Sequence, residues 1–214
     1  MGKMLQEASE WIVRLVWTNL LWFGFMIAGL GVFGFMPATV ALFAVTRKWK
    51  LKDFDASILK TFKETYRKEF LRSNLIGLIF ALIGFLLYVD LKIAEGMQGT
   101  FSIVLYVFIG FIILLYVNTI VHFFPIYVHY QYSMKEYIKQ SFIISLISPT
   151  SSLLIVIGLF FIGYLIMNMP GLIPFVIGVL PAYWIMNVSL KRFLALEKQH
   201  AIVHTEMQME ESIR

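Results

Sequence analysis

Residues 140–190 read QSFIISLISPTSSLLIVIGLFFIGYLIMNMPGLIPFVIGVLPAYWIMNVSL. These 51 positions, bounded by Lys139 and Lys191, contain no Asp, Glu, Lys or Arg. About 20 residues of helix cross a hydrocarbon core about 30 Å thick, so the stretch is too long for one crossing. Asn168, Met169, Pro170 and Gly171 interrupt it with a turn signal that contains a helix-stopping proline. The stretch predicts two membrane helices, residues 142–167 and 172–190.

Three further stretches lack the same four residue types. They hold 32 positions between Arg14 and Arg47, 17 between Arg72 and Asp90, and 39 between Glu95 and Lys135. Each predicts one span, at residues 15–44, 73–89 and 101–128, for a total of five. Lipid offers no partner for unpaired backbone groups, so each span is helical. The run 75–87 lacks the polar alternation of a β-barrel strand. A removable signal peptide is not expected, because the first apolar run is about twice the usual length of such a segment.

The composition agrees. The chain is 59% hydrophobic and only 14% charged over 214 residues, whereas a soluble domain carries about 25% charged residues. Its mean hydropathy is +0.79. A soluble enzyme, a disordered regulator and a secreted disulfide scaffold are excluded. There is no cysteine, which removes disulfides, thiolate nucleophiles and Cys-based metal sites. The expected fold class is an all-α polytopic membrane helical bundle forming a single domain, 1–214. A short N-terminal interfacial helix, a cytoplasmic basic helical loop (47–72) and a cytoplasmic tail (191–214) complete it.

Charge placement sets the expected orientation. Nine of the 18 Lys and Arg residues fall in 47–72, and four in the tail. By the positive-inside rule the basic loop, the Lys135 loop and the tail face the cytoplasm. Five full crossings would then leave the N-terminus outside, which Lys3 and Arg14 oppose. The first stretch admits a second arrangement. It contains Gly24, Gly29, Gly31, Gly34 and Pro37, and a proline is at home in the first turn of a new helix. Two half-spans meeting near Gly31 would return the N-terminus to the cytoplasm. A single Gly-rich helix packed closely on its neighbours is the primary expectation.

Met4, Leu5, Ala8, Trp11, Ile12 and Leu15 follow helical spacing and predict an amphipathic helix at the membrane surface. In the basic loop, Phe54, Ile58, Leu59, Phe62, Tyr66, Phe70 and Leu71 form an apolar stripe. Asp53 and Asp55 at its start and Lys68 and Arg72 at its end suit the helix dipole. Lys60, Lys63 and Arg67 share another face. That face is a candidate surface for a protein partner, or for anionic lipid at about 1 kcal/mol per basic residue. Nucleic-acid binding is not supported, since half the basic residues lie in one membrane-proximal helix without a recognition motif. The tail begins amphipathic (Leu190, Phe193, Leu194, Glu197) and ends polar at Glu206, Glu210 and Glu211.

Ionisable groups inside a span are default functional suspects. His122 is the clear case. His129 follows seven residues on, about 10 Å along the axis, too far for one shared metal ion. Asn118 lies one turn before His122. Asn118, His122 and Asn187 form a candidate polar pocket, or else interhelical hydrogen bonds that fix packing. Pro125 is expected to kink this helix. Ser148, Thr150, Ser151 and Ser152 flank Pro149 and are expected to open or bend the fourth span. No catalytic or phosphate-binding motif occurs, and no cofactor or metal is called for. Gly34 and Ala38, Gly77 and Ala81, and Ser148 and Ser152 are small-residue pairs that permit close helix approach. They leave homo-oligomerisation open.

The run Asn19-Leu20-Leu21-Trp22-Phe23 leads through a Gly-rich stretch to Pro37-Ala38-Thr39. A basic helix then ends Tyr66-Arg67-Lys68-Glu69-Phe70, and Phe123-Phe124-Pro125 precedes a polar turn. Over nearly its whole length the chain resembles the YesL-like family of Gram-positive bacterial membrane proteins, a domain of unknown function. The resemblance implies a bacterial plasma-membrane location and an accessory role near carbohydrate transport, because some members are encoded beside sugar-uptake genes. It supplies no catalytic residues. Together these features lead to the expectation of a non-enzymatic accessory or regulatory component of a membrane complex. A small carrier or channel for a neutral solute is the alternative.

Overall fold

The computed structural model describes residues 2–213, with side chains described for residues 4–199 and for Gln208. Eight α-helices follow in order: α1 (Gly2–Ala28), α2 (Val32–Lys50), α3 (Ile58–Gly96), α4 (Thr100–His129), α5 (Met134–Ile147), α6 (Pro149–Asn168), α7 (Ile173–Val176) and α8 (Val179–Ile213). No strand occurs among the described residues. Four helices are long and apolar enough to cross a membrane: Met4–Ala28, Ile58–Gly96, Thr100–His129 and Pro149–Asn168. A bent pair, Pro170–Val176 with Val179–Gln199, makes a fifth at an angle of 61°. The protein is an all-α, multi-pass helical bundle.

The first expected span, 15–44, is not one helix. The chain turns back at Gly29-Leu30-Gly31, where Leu30 has φ 57° and Gly31 φ 74°. Positive φ is costly for leucine and free for glycine. Two close approaches force glycine nearby. A Cβ on Gly34 would run into the Met26 carbonyl oxygen, and one on Gly29 into the Gly34 Cα. The helices then run antiparallel. The Trp22 indole N–H donates to Thr39 Oγ1 at 3.2 Å, and the Trp11 ring meets Trp49 edge-on at 5.7 Å. The chain thus reverses near Gly31 as the glycines allow, but the two arms are helices of 27 and 19 residues and not half-spans.

Helix α2 is the centre of the bundle. Every residue from Pro37 to Phe43 is buried, as are Val45 and Thr46. Ala38, Ala41, Leu42 and Trp49 pack with Phe62 of α3 and Ala182 and Met186 of α8. On the other side, Val40 packs with Ile76, Phe123, Ile126 and Phe193.

Three further expectations on element boundaries are corrected. The N-terminal interfacial helix is continuous with α1. Trp11 and Leu15 pack on the core, while Met4, Leu5 and Ile12 stay exposed. The basic helix and the second span, 73–89, are one 39-residue helix, α3. Asp53 and Asp55 lie before it, and Ser57 is its N-cap, accepting from the Lys60 N–H at 3.4 Å. The tail is likewise no separate element, because α8 runs unbroken through Lys191 to Ile213. The side chains of Glu206, Glu210 and Glu211 lie outside the described ones.

The expected span 142–167 is broken at Ser148, with Pro149 in the first turn of α6. Pro149 has no N–H to donate, so it opens a helix at no hydrogen-bond cost. The expected span 172–190 is broken too. A 3₁₀ turn at Pro170–Leu172 and the short α7 precede α8. Asn19 holds this second break. Its Oδ1 accepts from the N–H groups of Gly178 (2.9 Å) and Val179 (3.0 Å), and its Nδ2 donates to the Pro174 carbonyl at 2.8 Å. One buried side chain of α1 thus satisfies the N–H of the first residue of α8 and of the glycine before it.

Candidate functional site

The polar features of the bundle converge at its basic end. The last turn of α2 carries Arg47, Lys48 and Lys50. The first turns of α3 carry Glu64, Lys68 and Arg72 at i, i+4 and i+8, so one face presents all three. The end of α4 contributes Tyr127 and His129, and α5 contributes Tyr137. All of these except Lys48 and Lys50 line an open cavity of about 480 Å³, together with Thr65, Glu69, Tyr130 and Gln131. It sits at the level where the charge-free part of α3 begins, at Ser73, and that of α4 ends.

The walls are held by side-chain bonds. Tyr127 Oη donates to Glu69 Oε2 at 2.6 Å, and Tyr137 Oη donates to the Tyr130 carbonyl at 2.9 Å. The Arg72 guanidinium donates to the Tyr132 carbonyl. It also lies over the Tyr137 and Tyr127 rings, at 5.1 and 5.8 Å from their centres. Arg47 Nε donates to His129 Nδ1 at 3.1 Å. A guanidinium only donates, so His129 accepts at Nδ1 and carries its proton on Nε2, which faces Glu197 at 3.6 Å. Tyr130 Oη donates to the same Glu197 oxygen at 2.8 Å, and burial, then this bond, pushes the Tyr130 phenol above its ordinary range. Glu197 thereby ties α8 to the end of α4.

Among the described residues, neither Arg47, Lys68 nor Arg72 forms an ion pair with a carboxylate. Arg47 and Arg72 are half-buried, and burial works against the Arg47 cation, lowering its pKa. A charge taken from water without a counter-ion is costly. The cavity can therefore receive an anion. No group of three His, Asp or Glu side chains placed to hold a metal ion occurs among the described residues.

The residues singled out in the sequence lie elsewhere. Asn118 Nδ2 donates to the Ser145 carbonyl at 3.1 Å, joining α4 to α5. His122 is buried, with Nδ1 3.0 Å from the Asn118 carbonyl and Nε2 without a hydrogen-bond partner. Asn187 is half-buried on α8. Lys60, Lys63 and Arg67 are exposed on the face of α3 beside the cavity wall. The cavity itself was missed in the sequence, although a signal existed. Glu64, Lys68 and Arg72 recur every fourth residue, and five aromatic or imidazole side chains crowd positions 127–137. Nothing in the sequence aligns the two segments.

Residues 15–91 match the family described as "Protein of unknown function, DUF624". The chain is 38% identical over 203 residues to the "Uncharacterized protein YteU" of Bacillus subtilis (strain 168), covering 92% of this chain and 88% of that protein. It is 34% identical over 196 residues to YesV of the same organism, covering 92% of this chain and 94% of YesV. It is 31% identical over 195 residues to YesL, covering 91% and 92%. No solved structure matches. With three relatives aligned along almost their whole lengths, the chain belongs to the YesL-like family of DUF624 proteins.

Proposed function

We propose that the protein is a non-enzymatic accessory or regulatory component of a plasma-membrane complex, such as a carbohydrate-uptake system, with its basic end and C-terminus in the cytoplasm. The observation that carries this is the continuity of α3. One helix of 39 residues joins the exposed Lys60, Lys63 and Arg67 face to the apolar stretch inside the bundle. A partner held on that face is coupled to the bundle without a hinge. The excess of basic residues at this end supports the cytoplasmic orientation, and the family resemblance supports the link to sugar uptake.

Affinity purification in mild detergent tests the role. The native chain is expected to retain a membrane partner that is lost when Lys60, Lys63 and Arg67 are all replaced by Glu. Recovery of the lone chain in every detergent, or a partner indifferent to the triple replacement, would overturn it.

A carrier of neutral solutes is the second reading, favoured by the buried His122 Nε2 that has no hydrogen-bond partner. It requires solute flux through vesicles containing the protein, and a changed rate in His122→Ala. Flux unaffected by that change removes its support.

A further inference from the structure

We infer that the cavity at the basic end binds a phosphate ester of a polyol, with Arg47, Lys68 and Arg72 on the phosphate and Glu64 on the hydroxyl groups.

The inference begins with charge. Three cations from two helices line one cavity, and none is ion-paired among the described residues. Among the described residues, Arg47 uses Nε on His129 with no hydrogen bond at its two terminal nitrogens, and Lys68 makes no side-chain hydrogen bond. Arg72 is fixed by the Tyr132 carbonyl and two tyrosine rings, so its planar fork is pre-oriented. Guanidinium forks match phosphate oxygens in geometry, and an ammonium serves as a further point charge. The acceptor sites of a carboxylate lie in one plane, whereas the oxygens of a phosphate are arrayed tetrahedrally and can meet cations that approach from two helices.

The carboxylates narrow the class. Two carboxylates line the same cavity: Glu69 is held at Oε2 by the Tyr127 hydroxyl, while Glu64 has no side-chain partner among the described residues. It would repel a bare inorganic anion, so the ligand must also carry hydrogen-bond donors. Hydroxyl groups supply these, and Gln131 and Thr65 extend the polar wall. A cavity of about 480 Å³ holds a group the size of a glycerol or hexose phosphate.

Two sources share this chemistry. The cavity opens where the charge-free parts of α3 and α4 stop, which is the depth of lipid head groups, and basic pockets between membrane helices bind anionic head groups. A soluble sugar or glycerol phosphate would enter from the water side.

The test uses the full chain in nanodiscs. Nanodiscs of phosphatidylcholine containing phosphatidylglycerol are compared with phosphatidylcholine alone, with and without added glycerol 3-phosphate. Bound phosphatidylglycerol is read by native mass spectrometry, and glycerol 3-phosphate by calorimetry. Binding of either probe is expected, weakened about tenfold by Arg47→Gln and by Lys68→Gln. Lys68 is exposed, so its replacement leaves the packing intact should Arg47→Gln fail to fold. Lys60→Gln with Lys63→Gln removes two charges outside the cavity and is expected to change affinity less than twofold. Retained phosphatidylglycerol unaffected by glycerol 3-phosphate assigns a lipid, and competition between them assigns a soluble ester. Binding of neither probe, or equal weakening by the cavity and control variants, overturns the inference.

Discussion

Asn19 shows what a single residue decides. It is fully buried and gives three hydrogen bonds to a segment about 160 positions away. Replacing it by Ala leaves the buried N–H of Val179 and the half-buried N–H of Gly178 without an acceptor, at about 1–3 kcal/mol for the buried group. Asn19→Ala is expected to lower the unfolding midpoint in detergent clearly, whereas replacing an exposed polar residue such as Gln98 is not. Gly34 gives a matched pair with Gly24. A methyl at 34 would drive into the Met26 backbone, while one at 24 meets nothing within 4 Å. Gly34→Ala is expected to cost about 1–3 kcal/mol and Gly24→Ala close to nothing, read as midpoints of thermal unfolding. The sequence marks both glycines alike and gives Asn19 no weight, because a contact across the chain leaves no local spacing to see.

At the scale of the element, the expected span 101–128 matches α4 to within a residue at each end, whereas the boundaries drawn at Arg72 and Lys191 fall inside continuous helices. Hydropathy changes at Arg72, but backbone hydrogen bonding does not, because Lys, Arg and Glu are good helix formers. So α3 passes through the change unbroken, as α8 does at Lys191. The real breaks lie at Leu30-Gly31, Ser148-Pro149 and Ile177-Gly178, and each carries glycine or proline. The continuity of α3 is measurable. The absence of cysteine allows specific spin labels at Lys60→Cys and Asp90→Cys. Thirty residues of unbroken helix put the two backbone positions about 45 Å apart, and a narrow distance distribution near that value is expected. Leu71 is exposed, so Leu71→Ala should leave the distribution unchanged. Leu71→Pro removes a backbone donor in the same place, costs about 3 kcal/mol, and is expected to shorten or broaden it.

For the whole molecule, the hairpin of α1 and α2 resolves the conflict that charge counting created. With one continuous first span, Lys3 and Arg14 would sit opposite the nine-charge loop. In the folded chain the start of α1 lies against that loop instead. Arg14 donates to the Phe54 carbonyl at 3.2 Å, and the Trp11 ring meets Phe54 at 5.6 Å. Basic groups of the N-terminus, the 51–57 connection and the cavity rim therefore gather at one end, as the positive-inside tendency favours. Span counting from sequence could not choose between the two arrangements, since a reversal and a crossing use the same apolar residues. The far end of α3, near Gln98, lies on the other side. Single cysteines at Ser9, Asp55 and Gln98, all at exposed positions, discriminate between them. In intact cells a membrane-impermeant maleimide is expected to label Gln98→Cys and to spare Ser9→Cys and Asp55→Cys, both becoming reactive once the membrane is opened. Labelling of positions 9 and 98 together, with 55 protected, would instead mean a straight first span.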